Sequence, residues 1–256
     1  MNLIEFDDYI NSFLQKEKFL FDPSKNGIQI QNREPEKKQI QKIAFAVDAS
    51  LATIEDAAKQ NADVLFVHHG ILWGNENRIT SAFYKKIALC IENDIALCAY
   101  HIPLDANLKY GNNIGIAKKL GLKNVKPFGT WREMAIGVKG ILPKPLSLDA
   151  LSEKIIEERK NVYAKKFSFG KNFIRTVGII SGGAGSDVVQ AIAENLDCYI
   201  TGEFLHEDYF VAQEANINVL AFGHYESEIF GVNLVKEKIA REKKLQTLFI
   251  DLPTEL

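Results

Sequence analysis

The sequence predicts an α/β protein made of two similar halves, with a metal site in a cleft at the ends of its strands. Three observations favour this fold class: short apolar runs alternate with helical patterns, one strand-loop-helix-strand pattern occurs twice, and polar clusters directly follow the apolar runs. The clearest run covers residues 64–67 and is followed by His68, His69 and Gly70. Ligands of open parallel sheets bind beyond the carboxyl ends of the strands, so this histidine pair is well placed for metal binding.

Composition and charge narrow the function classes. The 256 residues are 46% hydrophobic and 25% charged, as in a globular protein of one large domain or two ordinary ones. A formal net charge of -2 gives no global field that would recruit nucleic acid or an anionic membrane, although it leaves room for a local basic patch. A signal-peptide pattern and a membrane-length apolar run are both absent from the sequence, so we expect a cytoplasmic protein without a membrane partner.

Residues 1–125 are predicted to form the first half. Helical spacing predicts a helix over residues 3–20, and a turn at Asp22 and Pro23 closes it. Strands over residues 43–47, 64–68 and 95–100 alternate with helices over residues 51–58 and 81–93. Right-handed crossovers bring neighbouring parallel strands to the same edge of the sheet, so Asp105, which follows the third strand, is predicted to approach His68 and His69.

Residues 126–256 are predicted to form the second half. Alternating segments over residues 135–142 and 162–169 predict strands on either side of one helix. After them come a strand, a glycine-rich loop, a helix and a strand, predicted over residues 177–180, 181–186, 188–194 and 197–203. A strand over residues 219–222, a long helix and a closing strand over residues 247–251 complete this half.

The two halves are related by a degenerate internal repeat. Segments 43–69 and 177–203 share one order of strand, polar loop, short helix and Asp-led strand. Asp63 matches Asp197 in this alignment, and Glu203 falls at the position of His69. We therefore expect two related halves to face each other across one site.

Histidines and acidic residues form the candidate site. A lone histidine near a core usually has a structural role, but all five histidines lie at or near predicted strand ends: His68, His69, His101, His206 and His224. His224 and Glu228 are four residues apart, so a helix starting at His224 would bring them together. Either a bend at Gly70 lets His68 and His69 share one ion, or each ring serves its own ion. Two ions bridged by a carboxylate would polarise a substrate oxygen and activate water.

The glycine-rich loop at residues 181–186 matches no nucleotide-binding or nucleophile motif. Ala184 and Gly185 replace the Lys and Ser/Thr of a P-loop, and Ser181 lacks the G-x-S-x-G context of a hydrolase nucleophile. Two interpretations are left: a tight turn of the repeat, or a phosphate contact through backbone N–H groups. Trp73 also has two possible interpretations: it stacks on a base, or it packs at a subunit contact.

Several segments together resemble the type 2 homologues of GTP cyclohydrolase I, the Ngg-interacting-factor-three-like proteins. These segments are NGIQI at 26–30, VHHGILW at 67–73, HIPLD at 101–105, GNN at 111–113, SGGAG at 181–185, TGE at 201–203 and GHYESE at 223–228. The resemblance covers nearly the whole chain and keeps the motif order. It implies a dinuclear metal centre and a homohexameric ring, with the ligands His68, His69, Asp105, His224 and Glu228. Residues 126–175 leave no room for the extra domain that longer relatives insert.

The resemblance implies two divalent ions and two possible functions. Mixed imidazole and carboxylate ligands suit zinc, iron, manganese, cobalt or nickel. The first function is a hydrolase acting on a nucleotide or related small molecule, with GTP as a candidate substrate. His101, Glu203 and His206 would then move protons, or hydrogen-bond to the ligands instead. The alternative is a non-catalytic metal-binding hexamer with a metal-handling or regulatory role, so enzymatic activity stays open.

Overall fold

The computed structural model describes residues 1–74, 78–156, 159 and 162–256. In chain order, the helices and strands are α1 (Leu3–Leu14), β1 (Gly27–Ile30), β2 (Lys42–Asp48), α2 (Leu51–Lys59), β3 (Val64–His69), α3 (Ser81–Glu92), β4 (Ala96–Ala99), α4 (Ile102–Ala106), α5 (Asn112–Leu120), β5 (Lys123–Trp131), β6 (Met134–Leu146), α6 (Leu148–Ile156), β7 (Lys165–Phe167), β8 (Ile174–Ile179), α7 (Val188–Ala193), β9 (Cys198–Thr201), α8 (His206–Glu214), β10 (Asn218–Ala221), α9 (His224–Lys243) and β11 (Gln246–Phe249). None of the helices in these described residues is long and apolar enough to cross a lipid bilayer.

The chain divides into two compact units. Unit 1 contains Met1–Leu104 and Val232–Leu252, and unit 2 contains Asp105–Gly231 and Pro253–Leu256. Each unit is built around one sheet with helices, so the predicted α/β class is confirmed. The boundaries of the units differ from the predicted division at residue 125, and the packing of α5 and the pairing of β11 account for the difference.

Unit 1 has a five-stranded sheet in the order β1-β4-β3-β2-β11. Strands β4, β3, β2 and β11 are parallel, whereas β1 pairs antiparallel with β4. The apolar run of β3 is buried, as a strand covered on both faces should be. Because β11 hydrogen-bonds to β2, the segment near the end of the chain belongs to this unit.

The first helix is shorter than its sequence pattern predicts. A capping box between Asn2 and Glu5 begins α1. The helix ends at Leu14, not near residue 20, because Gln15 adopts a left-handed backbone conformation with φ of 56°. A single 3-10 turn at Lys16–Lys18 follows.

Unit 2 has a six-stranded sheet in the order β5-β6-β8-β9-β10-β7. Its centre, β8-β9-β10, is parallel, and the remaining pairs are antiparallel. Helix α5 buries Ile116 and Leu120 in one core with Val138 and Leu142 of this sheet. Residues 105–124 therefore belong to unit 2, because their apolar side chains pack against this sheet.

Both units make the same hydrogen bonds at the start of the predicted repeat. Asp63 accepts from the backbone N–H groups of Gln41 and Lys42 beside β3. In unit 2, Asp197 accepts from two consecutive backbone N–H groups near the start of β8. A carboxylate thus satisfies the first donors of a neighbouring parallel strand in each unit.

The register of the central strands is also shared. Ile43 pairs with Val64 in unit 1, and Val177 pairs with Cys198 in unit 2. Counting five residues on from Val64 and from Cys198 reaches His69 and Glu203. The two similar halves are therefore present, and Glu203 occupies the position in unit 2 that His69 occupies in unit 1.

Candidate metal centre

Three histidines lie together beyond the central strands of unit 1. His68 and His69 end β3, and His101 follows the neighbouring strand β4. The ring centroid of His68 lies 4.4 Å from that of His69 and 5.1 Å from that of His101. One nitrogen from each ring lies within 4.8 Å of the others. These three side chains form a group that could hold a metal ion.

His68 and His69 are consecutive residues that both contribute to this group. Neighbouring side chains of a regular strand point to opposite faces of the sheet. The centroids of the two rings nevertheless lie 4.4 Å apart, so the rings meet at the end of β3. Whether the pair shares one ion through a bend at Gly70 or serves two ions stays a prediction.

The ring nitrogen Nδ1 of each of these histidines faces an oxygen atom. Since carbonyl and carboxylate oxygens accept hydrogen bonds, Nδ1 donates, and the lone pair of the neutral ring is on Nε2. Metal-binding histidines have this arrangement, in which a hydrogen bond at one nitrogen orients the other. The pairs are His68 with the Tyr100 carbonyl at 3.1 Å, His69 with Asp48 at 2.8 Å and His101 with Asp22 at 2.9 Å.

Asp22 is ionised at neutral pH. Burial raises the pKa of Asp22, but hydrogen bonds from His101, Asn26 and the Ser24 backbone N–H outweigh it and lower the pKa. Its second oxygen accepts from the backbone N–H of Ile102 at 3.0 Å. Asp22 therefore holds the His101 ring in one orientation. In the sequence it was only part of a turn, so its role was missed.

Trp73 lies beside the three imidazole rings. Its indole N–H donates to the Gly70 carbonyl at 2.8 Å. The indole ring meets the His101 ring edge-on, with centroids 4.9 Å apart. The position suits an aromatic contact next to the candidate centre, while base stacking and subunit packing both stay predictions.

In unit 2, His224 and Glu228 meet on the first turns of α9, as their spacing predicts. His224 Nε2 lies 3.3 Å from a Glu228 carboxylate oxygen. His224 Nδ1 lies 2.5 Å from Glu203 Oε1, which repeats the arrangement of the unit 1 histidines. Burial lowers the pKa of His224, but hydrogen bonds and charges of Glu228 and Glu203 outweigh it and raise the pKa to about 9. The ring is thus protonated at neutral pH and lies between two carboxylates. A bound cation could take the place of this proton.

Asp105 is buried in unit 2 with a fixed carboxylate. Its Oδ1 accepts hydrogen bonds from Asn112 Nδ2 at 2.9 Å and from Ser181 Oγ at 3.0 Å. Neither partner was predicted as a site residue. The motifs at 111–113 and 181–185 contain both, but the sequence alone does not reveal that they meet.

The weaker catalytic candidates have different surroundings. His101 hydrogen-bonds to the Asp22 carboxylate, and Glu203 hydrogen-bonds to the His224 ring. His206 is exposed at the start of α8, where its ring meets Phe210 at a centroid distance of 6.4 Å. In the part of the chain that the structure describes, His206 belongs to none of the groups that could hold a metal.

Comparisons with known proteins connect this chain to one family. The profile of the family described as Duf34/NIF3 (NGG1p interacting factor 3) matches residues 1–255. Proteins called GTP cyclohydrolase 1 type 2 homolog from Treponema pallidum and Pyrococcus horikoshii are each 36% identical to this chain, over 99% and 100% of both partners. The crystal structure of TTHA1606 from Thermus thermophilus is similar with a TM-score of 0.89, at 29% identity and over 100% of both chains.

Proposed function

The chain belongs to the Duf34/NIF3 family, and we propose that it is a metal-dependent hydrolase with a dinuclear centre. The proposed ligands are His68, His69, Asp105, His224 and Glu228. One observation carries the proposal: each imidazole among them has Nδ1 directed at an oxygen atom, which orients Nε2 for a cation.

The donor set fits divalent transition metals. It combines imidazole nitrogens with carboxylate oxygens, which suit zinc, iron, manganese, cobalt and nickel. His68, Asp105 and Glu228 are all buried, and a bound cation stabilises a buried carboxylate. When bound, two such ions would supply Lewis-acid polarisation of a substrate and activation of water.

The chain's own residues would orient the substrate and move protons. His101 is held by Asp22, so its ring is placed to carry a proton to or from a bound substrate. Glu203 hydrogen-bonds to His224 and would hold that ring as a ligand. Trp73 offers a flat aromatic face to a heterocycle. A nucleotide or related small molecule fits this set, and GTP is the first candidate because the relatives carry its name.

The alternative proposal is a non-catalytic metal-binding protein that stores, delivers or senses ions. The burial of His68, at 0% exposure, and of Glu228, at 3%, favours it, because buried ligands retain an ion better than they admit a substrate. A homohexameric ring and a cytoplasmic location belong to both proposals.

Metal analysis followed by a nucleotide panel tests the proposal. The purified chain should contain about two transition-metal ions per subunit and release product from at least one nucleotide. Glu228→Ala should lose metal and turnover, whereas Glu237→Ala, an exposed glutamate on the same helix, should retain both. A fully loaded protein without turnover on any nucleotide favours the alternative, and a protein that binds no transition metal contradicts both.

A further inference from the structure

Asp105 is held by a buried network that includes the glycine-rich loop. Both hydrogen bonds described above arrive at the same carboxylate oxygen, Oδ1, so they fix the plane of the group. Asn112 and Ser181, the donors, are themselves buried, with 0% and 7% exposure. Asn112 is anchored in turn, because its Oδ1 accepts from the Gly231 backbone N–H at 2.6 Å.

Ser181 is itself fixed in place. Its backbone N–H donates to Asn113 Oδ1 at 2.7 Å. Asn113 Nδ2 donates to the backbone carbonyls of Asp105 at 3.2 Å and of Ile136 at 2.8 Å. Asp105, Asn113 and Ser181 thus form a closed set of contacts tied to strand β6. A buried network in which each member is satisfied is rigid.

The next residue of the loop packs against the other carboxylate ligand. Gly182 has φ of +68°, and a Cβ added there would overlap Glu228 Oε1. The Gly182 N–H donates to Ser227 Oγ at 2.9 Å, and that hydroxyl donates to the His224 carbonyl at 2.8 Å. The loop is therefore hydrogen-bonded to the first turn of α9, which carries both His224 and Glu228.

These contacts leave the first two backbone N–H groups of the loop unavailable to a phosphate. A phosphate nest needs successive backbone N–H groups that point to the anion. The N–H groups of Ser181 and Gly182 instead donate to side chains of Asn113 and Ser227.

We propose that this loop positions the two carboxylate ligands of the metal centre. Ser181 is a positioning residue for Asp105, and Gly182 leaves the space that Glu228 occupies. The inference rests on the proposed metal centre but not on hydrolysis. A hydroxyl that donates to a carboxylate makes a charge-assisted hydrogen bond. Removing such a partner of a metal ligand typically lowers metal affinity about 10- to 100-fold.

Cobalt(II) titration of the full chain tests the role of Ser181. Ser181→Ala should bind cobalt about 10- to 100-fold more weakly than the wild type. Its visible absorption bands should also change, because a rotated Asp105 alters the coordination geometry. Ser152→Ala removes another buried serine of unit 2, in α6, and should leave both the affinity and the bands unchanged.

A second pair of variants distinguishes the effect of the Ser181 hydroxyl on metal affinity from the effect of side-chain packing. This pair also tests the inference if Ser181→Ala does not fold. Ser181→Thr and Ser181→Val have nearly the same size, but only Thr keeps the donor. Thr should bind cobalt about tenfold more tightly than Val.

Equal cobalt affinities for Thr and Val, or a Ser181→Ala affinity within about twofold of wild type, would overturn the inference. Wild-type protein that binds cobalt but hydrolyses no nucleotide would overturn only the hydrolase proposal. Wild-type protein that binds no metal would overturn both.

Discussion

Units 1 and 2 use the same contacts at the amino ends of their central strands. In unit 1, Asp63 binds two backbone N–H groups and pairs with Lys38 at 3.2 Å. In unit 2, Asp197 binds two backbone N–H groups and pairs with Lys171 at 2.6 Å. In both units the aspartate therefore binds the backbone of the neighbouring parallel strand.

At the carboxyl ends of those strands the chemistry differs. His69 in unit 1 is a proposed ligand and donates to Asp48, whereas its counterpart Glu203 in unit 2 accepts from His224. This position of the repeat thus carries a proposed ligand, His69, in unit 1, and in unit 2 it carries the hydrogen-bond partner of a different proposed ligand, His224. The amino ends of the central strands therefore carry the same residue type in both units, whereas their carboxyl ends carry different ones.

The largest effect is expected at Gly182, which has Asp48 as its counterpart in the repeat. Gly182→Ala places a Cβ on Glu228 and requires a positive φ, so it should abolish metal binding and cost about 1–3 kcal/mol of stability. Gly183→Ala is the matched control, because its Cβ would meet His224 at 3.7 Å and Glu203 at 4.0 Å, which are ordinary contacts. Chemical unfolding and metal content measure both. Equal behaviour of the two variants would contradict the loop's role.

The next effect is expected at Asp63 and Asp197, at the amino ends of the central strands. Asp63→Ala and Asp197→Ala each leave two backbone N–H groups without their acceptor, which should cost about 1–3 kcal/mol of unfolding free energy. Metal content of the folded fraction should stay at the wild-type value. A variant that keeps its stability but loses metal would contradict the view that the amino ends of these strands serve folding and only the carboxyl ends serve the site.

The hydrogen-bond partners of the ligands should have matching effects in the two units. Asp48→Asn and Glu203→Gln each weaken the acceptor that orients an imidazole ring, of His69 and of His224. Each variant should lower metal affinity about 10- to 100-fold. Chelator competition gives the two affinities. A loss confined to one unit would show that only one ring is a ligand.

Metal affinity should also depend on pH, and this dependence originates in unit 2. Because His224, with a pKa of about 9, must lose its proton to bind a metal, affinity should rise about tenfold per pH unit from neutral pH and level off near pH 9. Removing Glu203 should move the plateau to lower pH, because one of the two carboxylates that raise the pKa is gone. Chelator competition across pH measures both curves, and a flat profile would contradict the assignment of His224.

In the metal-free protein the same ring links stability to pH. Its folded pKa of about 9 lies above the ordinary value of 6.5, so the protonated ring stabilises the fold fully below pH 6.5. This contribution should be lost as pH rises through 9, and urea unfolding of the metal-free chain would detect the loss.

Local patterns in the sequence predicted the parts of the site that depend on neighbouring residues. The apolar run before His68 predicted β3, and the spacing of His224 and Glu228 predicted one helix face. The repeat predicted the match of Asp63 with Asp197. Each of these rests on periodicity or on a strand end, which a single chain displays directly.

Contacts between distant segments could not be predicted. Asp48 lies at a strand end like the histidines, but nothing in the sequence pairs it with His69. Ser181 reaches Asp105 across 76 positions, and the loop motif gives no sign of it. The assignment of α5 to unit 2 and of β11 to unit 1 likewise depends on which apolar faces remain to be covered.

The central claim, that rings oriented through Nδ1 bind metal through Nε2, is tested most directly by anomalous X-ray diffraction from zinc-loaded crystals. Two anomalous peaks about 3.5–4 Å apart are expected. Nε2 atoms of His68, His69 and His224 should lie about 2.0–2.1 Å from an ion. Zinc bound through Nδ1, or bound away from His69 and Glu228, would contradict the account.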